Sequence, residues 1–307
     1  MVEVQVRLAR TEDREAVLAF CQNTWENKSD YIHLVWDQWF SEPKGRIFVA
    51  VVNEVPVGIG RVFMVSDSEA WWEGLRVDRA YRGQGIARIL NSQIEEFLRE
   101  NNIKTSRCIV RSEDQVMLGM MARRNRKIIS YYIPHRNTPI STVESLSGLI
   151  FTQLNNSDFN SAWELVNSSE FYGENNCFYI GREVKWQKLK IELFKNLIER
   201  GLVWGIKQSD RLVSLAIQSA LDRDKEVFWL GYIRGTKESL PILLLELRHL
   251  AFQKKYSSIG GFFPTCELLL NYLEKGEFWK SYTGVFSLFE WDNLSIAGNR
   301  ENLTGSS

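Results

Sequence analysis

The 307-residue chain is long enough for two domains of ordinary size, because single hydrophobic cores usually stop growing at about 150 to 250 residues. Hydrophobic residues make up 44% of the chain and charged residues 25%, a balance that excludes a largely disordered protein. Its 38 basic and 38 acidic residues cancel, so the net charge offers no general attraction to nucleic acid or to an anionic membrane. We expect neither as a partner.

Cysteine and histidine spacing argues against a metal site. The four cysteines lie far apart without a CxxC pair, and the three histidines are equally scattered. The stretch MVEVQVRLAR alternates like a strand, without the apolar run of a signal peptide, and no segment reaches the roughly 18 apolar residues of a membrane span. These features predict a cytoplasmic protein with reduced thiols and no metal.

The first half of the chain alternates between strand and helix patterns. Residues 3–8 alternate like a strand, and Thr11 is then a capping residue for a helix that we expect to run from about Glu12 to Thr24. In the aromatic stretch before Pro43, apolar residues lie on one helical face, which predicts a second short helix. Further strands are predicted at residues 46–52, 55–64, 71–77, 106–110 and 127–133, and further helices at 86–98 and 114–124. Asn53-Glu54 joins two of these strands in a predicted hairpin.

The second half repeats this order of elements. After the strand predicted to end at Pro134, a polar segment makes the best linker candidate. Strands are then predicted at residues 149–154, 202–206, 212–217, 227–233, 258–261 and 283–290, and helices at 158–166, 240–252 and 267–273. From hairpin turn to the end of the next strand, Asn53 to Val77 and Ser209 to Ile233 both span 24 residues. We infer a duplication of the fold.

A glycine-containing loop, in the sequence VDRAYRGQGIARIL, lies between a predicted strand and a predicted helix. Gly83 and Gly85 permit backbone conformations that other residues avoid, and they let main-chain N–H groups approach an anion. The helix beginning near Gly85 directs its positive end to the same point, and Arg82 adds a charge. The loop therefore predicts a phosphate-binding site, although a glycine-rich turn alone has a purely structural alternative.

The loop and the preceding elements resemble the GNAT acetyltransferases over about residues 3–134. The family signature after the fourth strand is Gln or Arg, two residues, Gly, one residue, then Gly or Ala, and Arg82, Gly85 and Ala87 match it. The resemblance implies that acetyl-CoA is the co-substrate, with main-chain N–H groups of the loop holding the pyrophosphate and the end of the strand pairing with pantetheine. The implied contacts are Arg82, Gly83, Gln84, Gly85, Ile86 and Ala87 in the loop, Leu75, Arg76 and Val77 in the strand, and Asp114.

The second half resembles a degenerate copy of the same domain, since Arg234-Gly235-Thr236-Lys237-Glu238-Ser239 replaces the loop and has one glycine. The resemblance implies an α/β fold with α+β character: two tandem GNAT-like domains, each a mostly antiparallel twisted sheet flanked by helices. The predicted boundaries are 1–136 for the acetyl-CoA-binding catalytic domain, 137–148 for a linker, 149–293 for the degenerate domain and 294–307 for a flexible tail.

Three positions depart from the family pattern late in the first domain. Many family members have an Asn that opens the helix, a Tyr that protonates the leaving thiolate, and a Gly-Phe after the helix. Here Asp114, Met121 and Asn125-Arg126 fill those places. Asn125 can adopt the left-handed conformation that a helix end needs. Met121 has no proton to give, so protonation by a helix tyrosine is not expected.

Glu73 is the leading candidate for the base that accepts the proton of the acceptor amine. Residues 73, 75 and 77 are predicted to share one face of the strand that ends at the cofactor. The alternative is a structural carboxylate, salt-bridged or solvated. Asp30 and Asp37 are weaker candidates for the base.

An aromatic set is predicted to line the acceptor pocket, because ligand sites are mostly apolar with few polar groups. Its members are Trp36, Trp39 and Trp72, with Phe40 and Trp71 as further candidates. The alternative interpretation is that these aromatic residues belong to the core. Tyr31 and Asn27 are predicted to supply polar contacts to the acceptor, and the alternative for both is a role in a turn.

The predicted function is N-acetyl transfer from acetyl-CoA to an amine of a small molecule or peptide, by direct attack in a ternary complex. A protein that binds acyl-CoA as a sensor without turnover is the alternative, motivated by the missing helix tyrosine. We expect a monomer or homodimer with no metal. The sequence does not identify the acceptor amine.

Overall fold

A computed structural model of the chain describes residues 3–22, 24, 30–143, 148–168, 178–181, 184–219 and 225–294. The candidate acceptor residue Asn27, Cys177 and most of the predicted tail lie outside the described residues. The chain divides into two compact units, named here unit 1 (residues up to 108 and from 290 onward) and unit 2 (residues 109–289). Among the helices described, none is long and apolar enough to cross a membrane.

Unit 1 is a mixed sheet covered by helices on both faces. Its strands are β1 (Gln5–Leu8), β2 (Gly45–Val52), β3 (Val55–Ser66), β4 (Glu69–Val77) and the first part of β5 (Thr105–Arg111), and its helices are α1 (Arg14–Cys21), α2 (Ile32–Ser41) and α3 (Ile86–Glu100). β1 to β4 pair antiparallel in the order β1-β2-β3-β4, whereas β5 pairs parallel to β4. The sheet therefore separates two cores.

The two cores of unit 1 follow from the alternation of the strands. Trp36 and Trp39 of α2 pack with α1 on one face, against residues such as Val49. On the other face Leu90 and Ile94 of α3 pack against the alternate residues of β2 to β4. α3 runs from the glycine-containing loop, so its apolar stripe fixes the loop at one end of the sheet.

Gly74 interrupts the alternation of β4. Its φ is +71°, and the pairing of β3 with β4 shifts register between Ile59 and Arg61, as at a β-bulge. An added Cβ at Gly74 would lie 2.7 Å from the ring of Trp39, so only glycine fits there. The prediction that residues 73, 75 and 77 share one face is wrong because of this bulge. Leu75 and Val77 pack on the α3 face, whereas Glu73 reaches Arg61 on the α2 face.

Unit 2 contains the rest of the chain's elements. They are α4 (Gln115–Arg123), β6 (Lys127–Asn137), β7 (Leu149–Gln153), α5 (Phe159–Asn167), β8 (Phe178–Gly181), β9 (Lys185–Lys188), α6 (Ile191–Glu199), β10 (Val203–Gln208), β11 (Arg211–Gln218), β12 (Val227–Gly235), α7 (Ser239–Gln253), β13 (Ser258–Pro264), α8 (Glu267–Lys275), β14 (Trp279–Lys280) and β15 (Phe286–Asp292), whose residues from 290 onward belong to unit 1. The strand order is β6-β13-β12-β11-β10-β7, with β14 on β6 and β8-β9 as a separate hairpin.

The duplication inferred from spacing is visible in matching turns. Asn53 and Glu54 have φ of 48° and 65°, and Ser209 and Asp210 have φ of 48° and 64°. Two consecutive residues with positive φ form the type I′ turn that suits a two-residue hairpin. Both predicted hairpins are therefore confirmed.

β6 differs from its prediction. The sequence predicts an end at Pro134, but the strand continues to Asn137, because His135 and Arg136 pair with Gly261 and Gly260 of β13. β6 thus lies in unit 2, although the prediction assigns it to the first domain. The boundaries of the two units are set by contacts within the fold, and they differ from the predicted domain boundaries. The predicted domain boundaries stay a prediction. Four elements, β8, β9, α6 and β14, have no counterpart in the sequence prediction.

Candidate cofactor and acceptor site

The glycine-containing loop has the backbone geometry of an anion site. Gly83 has a φ of +78° and Gly85 of +82°, and Gly85 is the residue before the first turn of α3. The first turn of α3 contains no acidic residue. Within the part of the chain that the structure describes, the main-chain N–H groups of residues 83–87 have no acceptor. The loop thus presents unsatisfied N–H groups at the positive end of a 15-residue helix.

Arg82 holds the loop in place. Its Nε donates to the carbonyl oxygen of Val77 at 3.2 Å, and its Nη2 donates to that of Thr24 at 3.1 Å. Asp78 accepts from the N–H of Ala80 at 2.9 Å and so caps the short turn before the loop. The exposed Arg82 guanidinium therefore joins the end of β4 to the chain after α1, besides adding charge beside the loop.

The end of β4 lies open along one edge. Its parallel pairing with β5 stops at Trp71, opposite Arg107. Beyond that point β4 pairs with β3 alone through Val77. The main chain at the end of β4 is thus available for an extended ligand along part of its length, although the Leu75 carbonyl already accepts from Arg76 Nη1 at 2.9 Å.

Glu73 forms an ion pair with Arg61 of β3. The Arg61 side chain is 1% exposed and that of Glu73 is 11% exposed. The Arg61 guanidinium lies 4.8 Å from the ring centre of Trp39, and its Nε and Nη2 have no hydrogen-bond partner. The buried guanidinium thus depends on one carboxylate for compensation of its charge. The ion pair is compatible with the predicted base and with the structural alternative.

A second buried ion pair lies at the start of α2. Asp30 accepts from Arg76 Nε at 2.6 Å and Nη2 at 3.2 Å, and from the Ile32 N–H at 3.2 Å. The Arg76 guanidinium lies 5.3 Å from the ring centre of Tyr31. Asp37, the other weaker candidate for the base, pairs with Arg14 at 3.0 Å at an exposed position. Asp30 and Arg76 thus fix the end of β4 to α2.

The aromatic candidates divide into two groups. Trp36 and Trp39 are 2% and 1% exposed, which favours their interpretation as core residues packed under β2 and β3. Tyr31 is 36% exposed and lies edge-on to Trp39. Trp72 points to the opposite face of β4, where its Nε1 donates to Ser106 Oγ at 2.9 Å. The structure therefore does not bring the four predicted residues into one pocket wall.

Three positions that depart from the family pattern lie in unit 2. Asp114 caps α4, its Oδ1 accepting from the Met117 N–H at 3.0 Å. Met121 is buried at 6% exposure, so it packs as a core residue. Asn125 has a φ of 52°, and the Arg126 N–H bonds back to the Met121 carbonyl at 3.0 Å. The left-handed conformation predicted for Asn125 is confirmed.

The corresponding turn in unit 2 is closed by its own side chains. Gly235 lacks a positive φ, and a Cβ there would overlap Ser214. The Thr236 N–H bonds to Ser239 Oγ at 3.1 Å, and the Ser239 N–H to Thr236 Oγ1 at 3.2 Å. N–H groups that a phosphate would need are therefore already satisfied at the start of α7.

β8 covers the place where β12 and β13 separate in unit 2. Their parallel pairing ends at Leu230, opposite Gly261. At the next residue, Gly231, an added Cβ would lie 2.6 Å from both the Ile180 carbonyl oxygen and the ring of Tyr179. The β8-β9 hairpin, which sequence reasoning missed, thus fills the opening that would correspond to the free edge of β4.

Among the described residues, no group of three or more His, Cys, Asp or Glu side chains converges. His135 is buried, and its burial lowers its pKa below the ordinary value. Its Nδ1 lies 3.2 Å from the Ile133 carbonyl oxygen. That contact and the edge-on ring of Phe263 are structural, as expected for an isolated histidine.

Comparison with known proteins gives one family match. Residues 12–125 match the family model described as acetyltransferase (GNAT) family. No curated protein matches the sequence. Among solved structures, a GCN5-related N-acetyltransferase from Sphaerobacter thermophilus is 12% identical, with a TM-score of 0.64, over 94% of this chain and 96% of that one.

Two further structures extend the comparison. A tandem GNAT protein from the clavulanic acid biosynthesis pathway is 13% identical, with a TM-score of 0.59, over 95% of this chain and 99% of that one. A GCN5-related N-acetyltransferase from Kribbella flavida is 10% identical, with a TM-score of 0.51, over 95% of this chain and 73% of that one. Identities this low speak for the fold alone, and they confirm the predicted class of mixed sheets flanked by helices.

Proposed function

We propose that the protein transfers an acetyl group from acetyl-CoA to an amine by direct attack in a ternary complex, from the premise that residues 12–125 match the acetyltransferase (GNAT) family model. The observation that carries the proposal is the loop at residues 82–87. Its two left-handed glycines and unsatisfied N–H groups lie at the start of α3 and beside the open end of β4.

In the proposed complex the loop N–H groups hold the pyrophosphate, since a helix N-terminus without acidic residues favours a dianionic group. The main chain of Leu75, Arg76 and Val77 lies along pantetheine. Arg82 acts mainly by fixing the loop through its two carbonyl contacts. No metal is needed in this proposal.

The proposed chemistry is a single displacement. The amine nitrogen attacks the thioester carbonyl, a C–N bond forms, the C–S bond breaks, and the thiolate takes up a proton. The proton lost by the amine passes to Glu73, directly or through water. Arg61 holds the Glu73 carboxylate in one orientation, and Trp39 shields that pair from solvent. Met121 cannot protonate the thiolate, so we assign that step to solvent.

Tyr31 is the most accessible of the predicted acceptor residues, and we propose it as the aromatic contact of the amine side. It directly precedes α2 and lies under the Arg76 guanidinium. The buried Trp39 packs against it from the core. Trp72 stays a proposal with less support, because it lies on the other face of β4.

The test measures binding and turnover separately. Isothermal titration with acetyl-CoA measures the site, and thiol release over a library of small-molecule and peptide amines, with background hydrolysis subtracted, measures transfer. Binding together with amine-dependent thiol release supports the proposal. Absence of acetyl-CoA binding at millimolar concentration would contradict it.

A second candidate function is an acyl-CoA sensor without turnover, favoured by Met121 at the position where the family pattern has a proton-donating tyrosine. The two functions differ in one result. A sensor, like the enzyme, binds acetyl-CoA at the loop site. Unlike the enzyme, it releases no thiol above background with any amine.

A further inference from the structure

A pocket of about 350 Å³ lies in unit 2 between α7 and the end of α8. Its wall is almost entirely apolar and is formed mainly by Leu244, Leu245, Tyr272 and Phe278. Leu245 is 39% exposed, which is unusual for a leucine in a helix whose neighbouring leucines are buried. The volume lies within the range of small-molecule sites, which are typically apolar with few polar groups.

Arg248 is the buried one of the two charged residues that line this pocket. The residue is 8% exposed, and its Nε and Nη1 donate to the carbonyl oxygens of Thr138 and Gly276 at 3.0 and 3.2 Å. Among the described residues no carboxylate forms an ion pair with it. Burial lowers the pKa of Arg248, whereas the charge of Glu277 acts in the opposite direction. The hydrogen bonds of this nearly buried guanidinium go to neutral carbonyls, and Glu277 acts on it only at longer range, so a carboxylate in direct contact would compensate its charge better.

The remaining polar surroundings agree with an anionic ligand. Lys275 lies at the rim of the pocket and is exposed. It has no ion-pair partner in the described ranges either. Two cations in the wall of an otherwise apolar cavity complement a molecule with one negative group and an apolar body.

We propose that this pocket binds a monocarboxylate with an apolar chain, the carboxylate on Arg248 and the chain along Leu244, Leu245 and Phe278. The volume admits a chain of about ten carbon atoms, since a water-sized group occupies about 30 Å³. The site is separate from the loop at residues 82–87 and does not depend on the proposed acetyl transfer.

The experiment titrates decanoate into the full chain that has first been saturated with coenzyme A, so that any acyl site at the loop is occupied. Decanol serves as the neutral probe with the same chain. The variants are Arg248→Gln, which removes the charge, and Leu245→Trp, which fills the pocket from a partly exposed position. Arg200→Gln is the control, because Arg200 is an exposed arginine of the same unit.

Decanoate is expected to bind one site, at least tenfold more tightly than decanol. Arg248→Gln should weaken the binding of decanoate at least tenfold, and Leu245→Trp should abolish it. Arg200→Gln should leave the affinity for decanoate unchanged. Equal binding of decanol, full binding by Leu245→Trp, or no binding to the wild-type chain would each overturn the proposal. Thermal unfolding checks the fold of each variant, and if Arg248→Gln unfolds, the decanol comparison and Leu245→Trp decide.

Discussion

Replacing Glu73 by glutamine tests the proposed base and the buried ion pair at the same time. Arg61 is 1% exposed, and its Nε and Nη2 have no hydrogen-bond partner, so the guanidinium depends on Glu73 for compensation of its charge. Removing one member of a buried ion pair costs about 3 to 5 kcal/mol. Glutamine keeps an acceptor oxygen, so we expect a loss of about 3 kcal/mol in the free energy of unfolding, near the lower end of that range.

The same substitution should slow acetyl transfer by a factor of roughly 10² to 10⁴, the usual contribution of general acid–base catalysis. The acidic limb of the pH–rate profile should disappear, because the group that must be deprotonated is gone. Acetyl-CoA affinity should stay unchanged. Rates are measured by thiol release at a temperature well below the unfolding midpoint, which we expect to fall by about 6 to 12 °C.

Asp13→Asn is the matched control for loss of a buried ion pair in unit 1. Asp13 is 5% exposed in its side chain and pairs with Arg7 at 2.7 Å, outside the candidate site. The control should lose stability but keep its rate and pH profile. If Glu73→Gln keeps the wild-type rate, Glu73 is structural. If both variants slow equally, the loss of rate follows from stability, and if Glu73→Gln keeps full stability, the reasoning about Arg61 is wrong.

Four further predictions concern the loop glycine Gly85, the stoichiometry of acetyl-CoA binding, the pH dependence of stability at Asp13 and the reactivity of Cys21. Gly85→Asp should abolish acetyl-CoA binding, because it adds a carboxylate among the phosphate-facing N–H groups, whereas Gly148→Asp, at the same φ of +82° in an open turn, should bind normally. Titration of the full chain with acetyl-CoA should give a stoichiometry near one, and a second equivalent that persists in Gly85→Asp would show that unit 2 binds too. Burial raises the pKa of Asp13, but hydrogen bonds from Arg7 and the main chain lower it by more, so its stabilisation is present above about pH 4 and is lost as pH falls through the lowered value. The free energy of unfolding, measured by denaturant titration, should therefore fall less steeply between pH 6 and pH 3 in Asp13→Asn than in wild type. Burial raises the pKa of Cys21 to about 12, so peptide mapping after iodoacetamide treatment at pH 8 should show it labelled only when the chain is unfolded.

Local patterns predicted most elements within a few residues. The helix after the loop was readable from the 3.6-residue spacing of Ile86, Leu90 and Ile94, and all three are buried on the α3 face of the sheet. The hairpin turns are predictable because short polar segments join two strand patterns, and Asn53 and Asp210 are residue types that accept positive φ at low cost. These features depend on residues close in sequence.

The candidate site was predictable only in part. The strand, loop and helix order places Gly83 and Gly85 at a helix start, and the structure shows both in the left-handed region. Alternation along β4 does not predict on which face of the sheet Glu73 lies. The bulge at Gly74 depends on the ring of Trp39, which packs against it and lies 35 residues earlier in the chain. A glycine inside a strand pattern was the one available signal.

Three features are determined by the sequence itself: the order of elements that repeats in the two halves, the phosphate-type loop of the first half, and the lack of that loop's glycine pair in the second half. Each depends on residue spacing and backbone freedom within about 30 residues. Tertiary structure alone decided which partner each charged side chain takes, such as Arg61 for Glu73 and Arg76 for Asp30. It also decided that β6 pairs with β13 and that β8 covers Gly231. Such pairings join residues 12 or more positions apart, and their free energy comes from burial and hydrogen bonding that no local pattern encodes.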